Sequence, residues 1–142
     1  MIIRVAGCKD PTLEEELIKA TMFFGKELLS KKMLPFIEID IVMKTKIPDL
    51  GNCLVTYYND WYKPREFQIE LRRHRSVKNT LLCLAHEMVH MKQFAKGEIN
   101  VGLTKWKGEP YDTEANEYHM YPWEVEASSK EQLLYAMYVE KI

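Results

Sequence analysis

His86, Glu87 and His90 stand within five consecutive positions in the stretch LAHEMVHM, and two imidazoles flanking a carboxylate can do hydrolytic chemistry on a metal. On a helix, positions i and i+4 lie about 40° apart and one turn from each other, so His86 and His90 can offer two nitrogens to one tetrahedral ion. Glu87 sits beside that pair, placed to reach a metal-activated water without displacing it. That is the physical content of the HExxH pattern: two neutral imidazoles as ligands, one carboxylate as general base, and zinc lowering the pKa of its water. The competing reading is a helix whose histidines face solvent or cap the edge of a core. With four histidines in the whole chain, the complete pattern favours the metal.

A tetrahedral site needs a third protein ligand, and three residues compete for that place. Cys83 lies three positions before His86, but three ligands on consecutive turns of one straight helix point in nearly parallel directions and close poorly on one ion. A small buried thiol against the core is the better reading. His119 would add an imidazole, yet it falls in a stretch without periodic pattern. Glu124 opens a helix in YPWEVEA, where Pro122 sets the start and a buried Trp123 can anchor the turn. A carboxylate completes a site only from such a preorganised scaffold. Alone, a first-turn glutamate is explained by the helix dipole; the upstream histidine pair is what makes Glu124 the preferred ligand.

The elements that must position these residues can be read along the chain. Residues 2–6 are apolar enough for a short strand. DPTLEEELIKATMFFGKELLSKKML reads as a helix, with Asp10 as cap, Pro11 at the first helical position and Glu14, Glu15 and Glu16 at the positive end of the dipole. Leu13, Leu17, Ala20 or Thr21, Phe24 and Leu28 recur at helical spacing, and Pro35 marks the exit. Three strands are expected next. FIEIDIVMK (36–44) puts Ile37, Ile39 and Ile41 on one face. CLVTYYN (53–59) is β-branched and aromatic and follows a Gly51-Asn52 turn. REFQIELRR (65–73) alternates, with Phe67, Ile69 and Leu71 inward and Glu66, Gln68, Glu70 and Arg72 outward. One polar face suggests a sheet covered on one side only.

Ser76 can then cap a helix from about Val77 to Lys96, stopped by Gly97. Residues 97–121, rich in Gly, Pro and Tyr, read as mostly irregular, and Pro122 opens a last helix, PWEVEASSKEQLLYAMYVEKI. The order is helix, three strands, helix, loop, helix: an α+β layout. With no internal repeat, low-complexity tract or linker, residues 1–142 read as one domain.

Composition bounds the function. Hydrophobic content of 46% with 29% charged residues describes a folded chain. Twenty basic residues against 21 acidic ones leave a net charge of −1, which gives no overall electrostatic footprint for nucleic acid. The densest basic stretch, LRRHRSVK (71–78) with Arg72, Arg73, Arg75 and Lys78, reads as a solvated strand end. Cys8, Cys53 and Cys83 are too few and too scattered for a disulfide framework and suit a reducing compartment. The N-terminus reaches acidic residues too early for a signal peptide, and no apolar run reaches the length of a membrane span. A cytoplasmic protein is expected.

Together, LAHEMVHMKQF and YPWEVEA resemble the small gluzincin-type zinc metallopeptidases, among them SprT-like and ImmA/IrrE-like minimal zincin domains of bacteria and their phages. The resemblance implies a minimal zincin fold: an N-terminal helix, a three-stranded sheet, the HExxH helix and a C-terminal helix bearing the third ligand. It matches the expected element order over roughly residues 10–140, and only the two motifs match closely. Carried over, His86 and His90 match the zinc histidines, Glu87 the general base and Glu124 the gluzincin glutamate, in an E-x-x-A setting with Ala127. Glu126 is the rival glutamate, pointing about 200° away from Glu124 on a helix. Four positions after the ligand, where the thermolysin-like pattern has an acidic residue, stands Ser128. The chain has no cysteine set for the separate zinc ribbon of SprT-like relatives, so a DNA-repair role does not transfer. In such folds the strand before the active-site helix pairs with an extended peptide, and REFQIELRR holds that position. Tyr111, Tyr118, His119 and Tyr121 are candidates for an oxyanion donor.

The expectation is therefore a zinc-dependent peptidase acting on a peptide or protein substrate, with Glu87 catalytic and His86, His90 and Glu124 holding the metal. The alternative is a non-catalytic zincin-fold module that binds peptide or protein around a structural zinc.

Overall fold

The computed structural model describes residues 1–57 and 63–141 of the chain. Tyr58 and Asn59 of the expected third strand, and Ile142 at the end of the last helix, lie outside the described residues.

The N-terminal strand β1 (Ile2–Ala6) runs parallel to β2 (Glu38–Lys44), β2 runs parallel to β4 (Glu66–Arg72), and β3 (Gly51–Tyr57) pairs antiparallel with β4. The sheet order is β1-β2-β4-β3. The expected three-stranded sheet is thus corrected to a mixed sheet of four, because the apolar residues 2–6 join β2 in register instead of standing apart. A second correction concerns position in the sheet. REFQIELRR was expected to offer a free edge, but β4 lies between β2 and β3 and has both edges paired; among the described residues the edges are β1 and β3.

The inward face follows the expected alternation. Ile39 and Ile41 of β2 and Phe67, Ile69 and Leu71 of β4 are buried, and each such side chain contributes about 1.5–3 kcal/mol by leaving water. On the outer face Arg4 bonds Asp40 at 2.7 Å. Glu70, expected outward and solvated, is buried there because Lys44, Asn52 and Gln68 close around its carboxylate. The helices cover the inward face. α1 (Pro11–Leu28) packs on β1, and α2 (Val77–Ala95) packs on β3, β4 and α1. α3 (Pro122–Lys141) packs on α2 and α1.

Both predicted caps are in place. Asp10 accepts from Thr12 N–H at 2.9 Å and Ser76 from Asn79 N–H at 3.1 Å. Each satisfies an otherwise orphaned donor of a first turn. Gly97 stops the second helix with φ +71°, a conformation open to glycine at no steric cost. The first helix ends with its last periodic residue, Leu28, well before the expected exit at Pro35. Leu29 turns extended and Ser30 accepts, through its carbonyl and hydroxyl, from Met33 N–H. This is the local competition by which serine diverts a backbone from the helix.

The stretch 97–121 is largely irregular but contains a small hairpin, β5 (Lys105–Trp106) with β6 (Glu109–Pro110). Its turn places Lys107 and Gly108 at φ 52° and 86°, as a tight hairpin turn requires. Among the described residues no helix is long and apolar enough to cross a membrane.

Candidate metal centre

His86 and His90 stack one turn apart on α2, their rings 4.9 Å apart between centroids and nearly perpendicular. The first turn of α3 faces them. It is fixed by Trp123, which is 2% exposed and packs against Tyr121, Tyr111 and Trp106 at 5.0, 5.1 and 6.2 Å. That aromatic wedge presents Glu124 to the histidines. His86 Nε2 lies 3.1 Å from Glu124 Oε1 and His90 Nε2 3.0 Å from Glu124 Oε2.

Among the described residues these three form a group whose ligand atoms lie within 4.8 Å of one another and that could hold a metal ion. The donor set suits one. Zinc bonds of about 2.0–2.1 Å in a tetrahedron set neighbouring ligand atoms about 3.3 Å apart, and two imidazoles with one carboxylate form a familiar three-ligand set. The other ring nitrogens are also engaged. His90 Nδ1 meets Gln93 Oε1 at 2.8 Å, and His86 Nδ1 meets Glu131 Oε1 at 3.4 Å. Both ring orientations are thus held from behind. Ser128 lines the cleft, but the carboxylate behind His86 comes from Glu131, seven positions after Glu124 instead of four.

Charge is concentrated here. Burial opposes the charged form of Glu124, but hydrogen bonds and attraction from His86 and His90 outweigh it and hold the carboxyl down to about 2. Burial likewise opposes protonation of His86, yet Glu124, Glu87 and Glu131 raise it to about 9. His90 is raised on the same grounds, against its burial, by Glu124, Glu87 and Gln93. Glu87 is 6% exposed, and burial pushes it up to about 6 despite the neighbouring histidines.

None of the rival residues joins the three-residue group. Glu126 points away from the histidines and binds Lys92 through both oxygens, at 2.9 and 3.0 Å, with Gln93 Nε2 donating to it at 2.8 Å. Lys92, 4% exposed, also meets Glu98 at 2.8 Å. Cys83 lies against Gly51 of β3, and burial pushes its thiol up to about 12. His119 is largely exposed and pairs with Glu117 at 3.3 Å.

A cleft of about 570 Å³ opens over the three residues. Gly51, Asn52 and Cys53 of β3 line one wall, while Tyr118, His119 and Tyr121 line another. Tyr121 spends its hydroxyl on Thr113 O at 2.8 Å. The Tyr118 phenol lies beside Glu124; partial burial of its hydroxyl and that carboxylate push it above its ordinary range, although the residue as a whole is 65% exposed. Tyr111 packs edge-on against Trp123 outside the cleft lining. Of the basic stretch, Arg72 and Arg73 donate to the carbonyls of Ile47 at 2.7 Å and Gly7 at 3.0 Å, tying loops to the sheet end.

Sequence reasoning missed Gln93 and Glu131. Helical spacing carried a signal for the first, since position 93 follows His90 by three on the same face. Glu131 had none without the packing of α3 on α2. Comparison with family models, curated proteins and solved structures finds no match to this chain.

Proposed function

We propose that the chain is a zinc-dependent peptidase of minimal gluzincin type. One observation carries the reading: two Nε2 atoms one helical turn apart converge on the two oxygens of Glu124, with Glu87 in the same cleft. The order of α1, sheet, α2 with the histidines and α3 with the glutamate agrees with that resemblance.

His86, His90 and Glu124 would hold the zinc, which supplies a Lewis acid able to bring water's pKa to about 7. Glu87 takes a proton from the attacking water and passes it to the leaving amine. Burial favours the protonated form of this carboxyl, which suits a group that must hold a proton and then give it up. Tyr118, whose phenol lies beside Glu124, would donate to the substrate carbonyl oxygen as charge develops there. The peptide would lie extended along the outer edge of β3, whose first residues line the cleft, pairing by backbone hydrogen bonds.

The test is metal content measured beside hydrolysis. Purified wild type should carry about one zinc per chain and cleave an unfolded protein such as casein, and Glu87→Gln should keep the zinc and lose the cleavage. Wild type without bound zinc after reconstitution would overturn the reading. Zinc retained without cleavage would favour the peptide-binding alternative.

A further inference from the structure

Gln93 is wholly buried, and all its polar atoms are committed. Its Nε2 donates to Trp123 O at 2.9 Å and to Glu126 Oε1 at 2.8 Å. Its Oε1 faces His90 Nδ1 at 2.8 Å. A carbonyl and a carboxylate only accept, so the Gln93 amide can have one orientation: nitrogen toward α3 and oxygen toward His90. An oxygen that only accepts obliges His90 Nδ1 to carry a hydrogen. Nε2 is then the nitrogen turned toward Glu124, and on giving up its proton it would offer its lone pair where the metal would sit.

We infer that Gln93 is a positioning residue that sets the tautomer and ring angle of His90 and, through Trp123 O, locks the α3 turn bearing Glu124 to the helix bearing the histidines. This role rests on the zinc reading above. One buried amide thereby couples two ligands from distant parts of the chain. Glu126 takes part because its charge, held by Lys92 and Lys130, keeps an acceptor on the Nε2 side. An apolar side chain of equal length would fill the same space and leave the His90 ring without its partner.

The experiment is zinc affinity by chelator competition on wild type, Gln93→Met and Tyr138→Phe. Tyr138 donates to Glu16 at 2.6 Å, away from the metal centre, and serves as a control for general destabilisation. Gln93→Met should bind zinc about 10- to 100-fold more weakly, while Tyr138→Phe binds it as wild type does. Long-range 1H–15N correlation spectra of the zinc-loaded wild type supply a readout that needs no variant. His90 should show a protonated Nδ1 and a metal-bound Nε2. Wild-type zinc affinity in a folded Gln93→Met, or a His90 bound through Nδ1, would overturn the positioning role and leave the zinc reading standing. If Gln93→Met does not fold, the wild-type spectrum decides alone. A wild type that binds no zinc removes both.

Discussion

Gly51 and Cys83 touch across the wall of the cleft: a methyl group on the Gly51 Cα would collide with Cys83 Sγ and lie 3.3 Å from Glu87 Cγ. The absence of a side chain is what lets the first residue of β3 reach the turn of α2 that carries Glu87. Gly51→Ala should therefore cost about 1–3 kcal/mol of stability by overpacking, and should lower turnover by displacing Glu87. Cys83→Ala removes the obstructing sulfur, so the double variant should recover part of both losses. Urea denaturation and casein cleavage on the four proteins of the cycle measure the coupling; strictly additive effects would show that the two residues do not interact.

Ligand and base should separate by substitution. His90→Ala and Glu124→Ala each remove an atom of the proposed donor set and should lose most of the zinc. Glu87→Gln should keep near-stoichiometric zinc with hydrolysis abolished. Atomic absorption and a cleavage assay on the same preparations check this, and a Glu124→Ala protein with full zinc would put the carboxylate ligand elsewhere.

Glu126 should matter chiefly to stability, since it lies outside the proposed donor set. Glu126→Gln weakens the ion pair with buried Lys92 and should destabilise the fold by about 1.5–3 kcal/mol, the range for hydrogen bonds to charged groups, with zinc content retained. Burial opposes its charge, but Gln93, Lys92 and Lys130 hold it down to about 2 from an ordinary 4.5. A depressed carboxyl stabilises above its unfolded pKa and loses that contribution as pH falls through the folded one. Wild type should thus lose stability from about pH 4.5 down to about 2, and Glu126→Gln should lack that share of the decline. Thermal melts across this range decide it.

The open edge of β3 should be needed for cleavage and dispensable for the fold. Arg72 N–H donates to Leu50 O at 3.1 Å, so alternation along the antiparallel ladder turns the N–H of Cys53 and Val55 outward and that of Leu54 toward β4. Val55→Pro removes an outward donor and should keep zinc and circular dichroism while losing cleavage. Leu54→Pro breaks a ladder bond and should lower stability more. Cleavage unchanged in a folded Val55→Pro would end the edge-pairing model.

The features legible in the residues alone lie within a few positions of one another. The Asp10 and Ser76 caps, the stop at Gly97, the alternation of β2 and the shared face of His86 and His90 all follow from backbone geometry repeating over one turn or one pleat. Glu124 was legible for the same reason, since Pro122 and Trp123 mark a helix start beside it. The fold decided what depends on distant segments meeting. β4 became an inner strand because β2 and β3 both pair with it, whereas its own alternation would serve equally well at an edge. Glu70 stayed charged in a buried place because Lys44 closes over it from β2. Glu131 came to His86 across 45 residues, and Gln93 found its acceptors on Trp123 and Glu126 across 30 and 33. A buried polar group must find a partner from whatever packs against it, and that neighbour exists only once α3 has docked on α2.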